Sequence, residues 1–351
     1  MNIKTIAEMA GVSISTVSKI INNYDDVSQK TKEKVLEIMK QTGYAPSNSA
    51  KTLATKKSNL IGVIFAGELN IDFTHPFFVE VLNSFKKQMG LLGYDLLFFS
   101  NVKFHAEGDY VARCKHFQVD GCIVIAGQEV EAAIYELDQS NIPCIGVDLV
   151  LEGQHSGYIM SDNYKASSKV VEHFYLMGYR ELGFIGSDFS EISNSRKMGY
   201  IGAIKDFGLP LKEEWFDNGD DFFEESGFHA MEAMIQSGSL PRAIFAASDL
   251  LAIGAIRALQ MNGLRIPEDV AIVGCDDISV CQYTTPTITT VRQNKERLGK
   301  LAAHMLFDII NKQAMASSVL LESELIVRES CGSLPESPLL ETGTHRVRRI
   351  R

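Results

Sequence analysis

Two sets of side chains in this 351-residue chain have types and spacings suited to chemistry on a partner. The first is a run of short polar groups near the start, in AGVSISTVSK at positions 10–19. Ser15 bonds several kinds of base edge, Lys19 suits the O6/N7 edge of guanine, and Ile14 suits a thymine methyl. Ser13, Thr16, Ser18, Asn22, Ser28 and Thr31 fall near candidate helix starts. Hydroxyl and amide groups there suit phosphate oxygens, so they fix position more than base preference. Helix capping and a solvated face use the same residue types; their number around one glycine favours DNA.

The second set lies at the ends of strand-like runs. Asp162 ends YIMSD, Ser248 and Asp249 end AIFAASD, and Asp276 and Asp277 end AIVGCDD. Arg196 opens a helical stretch after GFIGSDFS. A buried arginine with carboxylates clamps hydroxyl groups through charge-assisted bonds. Aromatic faces complete a sugar site, and the candidates are Phe77 in HPFF and Phe222 in GDDFF, with Phe73 as an outside choice. Other roles compete at several positions: helix capping for Asp249, capping or a lobe crossover for Asp162, and a structural ion pair for Arg196.

The elements that position the first set are three short helices. Thr5 and Glu8 have capping-box spacing for the first, and Gly11 supplies a turn. Ser13 is placed to cap a second helix over 14–21, and a third runs from after Ser28 to Gly43, with Pro46 beyond. Val35, Ile38 and Met39 give the third an apolar face for Ile6, Val12, Val17, Ile20 and Ile21. This is a helix-turn-helix pattern, in which the second helix enters the major groove. Residues 47–53 could add two helical turns, too few to be stable in water without a partner.

Charge divides along the same boundary. Residues 1–58 hold nine lysines against five acidic residues, whereas the rest holds 25 basic and 39 acidic. A basic end on an acidic body orients a protein on DNA without making the whole surface adhesive. There is no apolar run of about 18 residues and no secretory leader, so a cytoplasmic location without membrane contact is expected. The six cysteines show no CxxC spacing, and reduced, buried thiols are expected, with no metal and no cofactor.

From residue 60 onward β-branched runs alternate with amphipathic stretches. Strand candidates are 60–66, 95–100, 121–126 and 143–148, then a second series at 158–162, 181–186, 243–249 and 269–277. Helix candidates are 77–92, 164–177, 193–207, 224–236 and 250–261, with a further helix at 294–311 and a strand at 319–327. Continuous apolar strands separated by helices predict doubly wound parallel sheets, here two α/β lobes behind the all-α headpiece. Ligands of such sheets sit at the carboxyl ends of the strands. The expected organisation is a headpiece at 1–46, a hinge at 47–58 and an effector and dimerisation region at 59–332. Its N-lobe covers about 59–160 and 291–318, its C-lobe about 161–290 and 319–332, and a disordered tail or expression remnant occupies 333–351.

Four stretches resemble the lactose-repressor family of transcriptional regulators: AxxAGVSxxTVSK at 7–19, VSxxTKEKV at 27–35, GYAPSxxAxxLA at 43–54 and IGVIF at 61–65. The resemblance covers roughly residues 1–332 and implies lobes of periplasmic-binding-protein type. It also implies that paired hinge helices enter the minor groove, with Leu53 as a wedge between base pairs and Ala50 and Lys51 facing the groove. For the effector it implies contacts from Arg196, Asp276, the aromatic Phe222 and Ser248. Sugar-binding relatives often carry Asn at the position of Ser248, a departure that bears on which sugar is bound.

Other classes fit less well. No GxGxxG after a strand, Walker loop, GxSxG or HExxH is present, and an enzyme would leave the headpiece without a use. A transport binding protein would need an export signal. A regulator answering to a purine, another metabolite or a phosphorylated partner protein stays open; Lys86, Lys87, Lys103, Arg113 and Lys115 would serve that partner, or are simply solvated. The expected partners are a pseudopalindromic double-stranded operator, a sugar or sugar phosphate, and a second copy of the chain meeting it partly through 77–92. The tail has no leucine heptad for a coiled coil.

Overall fold

The computed structural model describes residues 1–21, 24–44, 57–67, 73–100, 109–126, 130, 132–186, 191–313 and 317–332. The hinge at 47–56, Asn22 and the tail at 333–351 lie outside the described residues.

The headpiece is built on local signals. Helix α1 (Ile3–Ala10) ends at Gly11, whose φ of 67° is the left-handed value that glycine tolerates. Helices α2 (Ile14–Ile21) and α3 (Gln29–Thr42) follow, the latter stopped by Gly43 at φ 64°. Ile6, Ala7, Ala10, Val17, Ile20 and Val35 close a small core. The start of α1 differs from the expected capping box. Asn2 is the cap, its Oδ1 accepting from Thr5 N at 3.0 Å and from the Thr5 hydroxyl at 3.1 Å. Asparagine is among the strongest capping residues, and three residues earlier than Thr5 it wins the helix start.

Behind the headpiece the chain enters the first lobe at an anchored point. The Asp120 carboxylate accepts from Ser58 N and Asn59 N, both at 2.9 Å. Strands β1 (Leu60–Ala66), β2 (Asp95–Phe98), β3 (Gly121–Ala126), β4 (Cys144–Val147), β5 (Ser156–Ser161) and β11 (Ser318–Leu321) form one sheet in the order β11-β5-β4-β3-β1-β2. Every pairing in it is parallel. Helices α4 (Pro76–Leu91) and α11 (Lys295–Ile310) cover one face, α5 (Tyr110–Phe117) and α6 (Ala132–Asp138) the other.

The second sheet runs β12-β10-β9-β8-β6-β7. Its members are β6 (Leu182–Gly186), β7 (Phe216–Asn218), β8 (Ala243–Ala246), β9 (Ala271–Cys275), β10 (Thr289–Arg292) and β12 (Glu324–Ile326). Only the edge strand β12 is antiparallel. Helices α7 (Asn163–Leu176) and α8 (Glu191–Asp206) pack together, as do α9 (Glu224–Ser237) and α10 (Asp249–Met261). At Gly254 a Cβ would come within 1.8 Å of Glu224 O, so glycine permits backbone-to-backbone packing of α9 on α10.

Two strand expectations need correction. The run at 158–162 does not open the second lobe; β5 pairs with β4 in the first sheet. The single strand expected at 319–327 is two, β11 in the first sheet and β12 in the second, divided at Glu322 and Ser323. The chain therefore crosses between lobes near Asp162, near Gln293 and near Ser323, the last two a few residues later than the lobe divisions at 291 and 318. Asp162 N donates to Leu321 O at 2.8 Å, joining two of the crossings. Among the described residues no helix is long and apolar enough to cross a membrane.

Candidate DNA-reading surface and interlobe cleft

On α2, Ile14 is 47% exposed, and Ser15 and Lys19 are exposed beside it. The Ser13 hydroxyl accepts from Thr16 N at 3.0 Å and meets the Thr16 hydroxyl at 2.8 Å. Ser28 and Thr31 repeat the arrangement at α3, with 3.3 Å to the amide and 2.8 Å between hydroxyls. Ser13 and Ser28 thus serve as caps, with the Thr16 and Thr31 hydroxyls bonded to theirs, and all four hydroxyls stand at two helix N-termini, where backbone N–H groups favour anions. Ser18 is half-buried. Lys19 is bonded to Asp26, an exposed pair that solvent screens and that a phosphate or a guanine edge can displace. Asn22, Ala50, Lys51 and Leu53 lie outside the described residues.

The second set converges where both sheets present strand ends. Arg196, on α8, is 3% exposed. Its Nε donates to Asn163 Oδ1 at 2.8 Å, Nη1 donates to Ala247 O, and Nη2 lies 4.0 Å from Asp276 Oδ1. Burial works against the guanidinium charge, but Cys275, Asp276, Asp148 and Asp249 outweigh it and raise its pKa. Asp276 follows β9 at φ 118° and accepts from Gln293 Nε2 at 2.6 Å.

From the N-lobe, Asp148 follows β4 at φ 53°, 8% exposed, and its Oδ1 has no hydrogen-bond partner. Burial pushes its carboxyl up to about 7, opposed by Arg196 and reinforced by Asp276. His75, just before α4, is 4% exposed with Nδ1 unpartnered, and burial lowers its pKa against the pull of Asp276. Its ring lies 5.6 Å from that of Phe223 on the C-lobe. Gln293 Oε1 and Ser161 Oγ are likewise buried without partners. Buried polar groups are nearly always satisfied, so four orphans around one arginine mark a place for a polar ligand or for water.

Other expected members stand differently. Asp162 caps α7, accepting from Lys165 N at 3.1 Å. Ser248 caps α10, accepting from Leu251 N at 3.0 Å while its hydroxyl donates to Phe222 O at 2.8 Å. Asp249 is internal, bonded by the Thr290 hydroxyl at 2.6 Å and Ile278 N at 2.8 Å, and burial together with Asp276 raises it to about 7. Phe222 is half-buried against the C-lobe core. Phe77 is a correction: at 2% exposure it belongs to the N-lobe core, 6.5 Å behind His75 and 5.0 Å from Phe78. Phe73 is 60% exposed beside Phe65 and Phe98.

Sequence reasoning missed Asp148, His75, Asn163 and Gln293. Asp148 carried a usable signal, since PCIGVD ends a strand in an acid as YIMSD does. An open groove of about 1130 Å³ lies at the opposite, amino-terminal ends of β4 and β5, lined by Asn141, His155 and Lys312 among others. It holds none of the orphaned groups, so the cleft is the better candidate. Among the described residues no cluster of three or more metal-ligating side chains occurs.

Residues 2–47 match the family described as bacterial regulatory proteins, lacI family, and residues 171–331 match the periplasmic binding protein-like domain. The chain is 32% identical over 333 residues to the probable HTH-type transcriptional repressor ExuR of Bacillus subtilis, covering 94% of this chain and 98% of the relative. It is also 32% identical to the HTH-type transcriptional repressor PurR of Photorhabdus laumondii, over 93% of this chain and 96% of that one. Among solved structures, the lac repressor dimer bound to operator and the anti-inducer ONPF superposes with a TM-score of 0.81 at 26% identity. The complex of the transcriptional regulator CelR with cellobiose gives 0.71 at 27%. Each comparison covers 94% of this chain and 99% of the other.

Proposed function

The chain belongs to the lacI family of bacterial regulatory proteins, and from that premise we propose that it represses carbohydrate-utilisation genes until a sugar or sugar phosphate releases it from its operator. It is a DNA-binding transcriptional repressor and not an enzyme. The observation that carries the effector reading is Arg196 buried beside Asp276, faced across the lobes by Asp148 and His75 with unpartnered polar atoms.

In this reading Ile14, Ser15 and Lys19 touch bases, while Ser13, Thr16, Ser18, Asn22, Ser28 and Thr31 touch backbone. Ala50, Lys51 and Leu53 belong to the hinge contact. One headpiece reads half a site, so two copies of the chain bind a pseudopalindrome, as the lac repressor dimer binds its operator. Arg196 and Asp276 hold the effector, with Asp148, His75 and Phe222 completing the walls; Phe77, Asp162 and Ser248 support those walls from behind. The ligand alters the angle between lobes and so the spacing of the two hinges. Only a difference in affinity between the two states moves the equilibrium, and couplings of about 1–3 kcal/mol are usual.

A purine acting as corepressor is the second reading, favoured by relatives named PurR. Operator binding at fixed salt, repeated with sugars, sugar phosphates and purines, separates the two. Release by a sugar supports the first reading; tightening by a purine with no sugar effect replaces it with the second.

A further inference from the structure

We infer that the cleft is built for an uncharged ligand rich in hydrogen-bond donors, and that it rejects sugar acids and sugar phosphates; this rests on the reading of the cleft as the effector site. The argument begins with the cation an anion would need. Arginine grips carboxylate or phosphate by presenting two parallel N–H groups. Here Arg196 spends Nε on Asn163 and Nη1 on Ala247 O, and turns Nη2 toward Asp276. Its charge is thus already answered by a carboxylate of the protein.

The neighbouring cations are committed as well. Lys295 Nζ donates to Asp276 O at 2.9 Å and Asp277 O at 2.6 Å, and pairs with Glu80 at 3.4 Å. Arg292 and Arg328 both bond the Asp277 carboxylate at 2.6 Å. An anion entering the cleft would meet Asp276, Asp277 and Glu80 with these cations already paired to them, and desolvated like charges repel.

The orphaned atoms point the same way. Asp148 Oδ1 and Gln293 Oε1 are acceptors, and Ser161 Oγ and His75 Nδ1 can each accept. Acceptors call for donors, which the hydroxyls of a neutral sugar or the N–H groups of a neutral base supply. A phosphate or carboxylate ionised at neutral pH adds only acceptors and leaves Gln293 Oε1, which can only accept, unanswered.

The test uses full-length protein at pH 7.5 and constant ionic strength. Titration calorimetry compares glucose and galactose with their uronates and 6-phosphates, and with hypoxanthine. We expect the neutral sugar of a responding series to bind roughly ten-fold or more tightly than its charged forms. A uronate or 6-phosphate that binds as well as its neutral parent overturns the inference. Hypoxanthine binding with no response to any sugar removes the sugar reading but upholds the inference, since that base is uncharged. A probe independent of effector identity is inorganic phosphate. Replacing chloride by phosphate should leave the melting temperature unchanged, and a phosphate-specific rise lost in Arg196→Gln overturns the proposal. In Asp148→Asn the preference for neutral over uronate should shrink several-fold; an unchanged ratio counts against it.

Discussion

Arg196→Ala tests the cleft most directly, because its cost can be worked from named atoms. The substitution removes the donors of Asn163 Oδ1 and Ala247 O and the countercharge of Asp276. All three partners are buried, and Asp276 is only 3% exposed. Breaking a buried ion pair by deleting one member costs about 3–5 kcal/mol, since the other charge is stranded. With a urea slope near the top of the usual range, about 3 kcal/mol per molar, the midpoint should fall by about 1–1.7 M. Arg196→Lys keeps the charge but not the fork, so its midpoint should fall by roughly half as much. Both variants should lose the effector response in operator-release titrations, and both should bind operator in the absence of effector. A midpoint within about 0.3 M of wild type, together with an unaltered dose response in Arg196→Ala, would refute the placement of Arg196 at the centre of the site.

Three further outcomes follow from other parts of the molecule. Leu53→Ala should weaken operator binding about ten-fold or more with no change in thermal unfolding; unchanged affinity in a gel-shift titration removes the wedge from the account. Asp148 and Asp249 have carboxyls raised to about 7, so their folded values exceed their unfolded ones. Protonation therefore favours the fold, and this contribution is lost as pH rises through about 7; the ligand-free melting temperature should decline from pH 5 to pH 8, and a steady climb over that range contradicts it. Gly254→Ala drives a Cβ to 1.8 Å from Glu224 O and should cost about 1–3 kcal/mol, read as a drop of roughly 2–12 °C in melting temperature. Gly90→Ala, with nothing within 4 Å, should leave that temperature unchanged or slightly higher.

What was legible in the sequence was what the chain decides locally. Ser13, Ser28, Gly11 and Gly43 mark helix ends through bonds to residues three or four away, and they do so in the structure. Asn2 was lost to Thr5 because two capping residues three apart both satisfy the local rule, and the earlier one captured the helix start. Strand pairing was less legible, because parallel partners are distant in sequence and a β-branched run does not say which sheet it joins. That is why β5 was grouped with the second lobe, and why the run at 319–327 hid a change of sheet at Ser323. At the site, Arg196 and Asp276 could be found from strand ends and family resemblance. Asp148 could not be separated from Asp162, since both are acids ending strands. One caps a helix and the other is left buried and unpaired, a distinction made only by what surrounds them.

The cleft and the lobe crossings are one structure, and this gives the proposed coupling a short physical route. Asp276 and Asp277 are consecutive and both have positive φ, 118° and 51°, which sends their side chains to different partners. Asp276 faces Arg196 and Gln293, where the proposed effector would bond. Asp277 faces Arg292 and Arg328; burial alone would raise its pKa, but the two guanidiniums more than offset it and hold the carboxyl below its usual value. Arg292 ends β10 immediately before the crossing to α11, and Lys295 in the first turn of α11 grips the carbonyls of both aspartates. Left-handed backbone costs about 1–3 kcal/mol at a residue other than glycine and persists only where surrounding bonds fix it. A ligand that draws on Asp276 therefore draws on a peptide already held by the crossing strands, and through Lys295 and Glu80 on α4, the helix expected at the dimer contact. The site need not signal across a featureless core, because the carbonyl of the residue proposed to touch the effector accepts from Lys295, the side chain that reaches Glu80 in the first lobe.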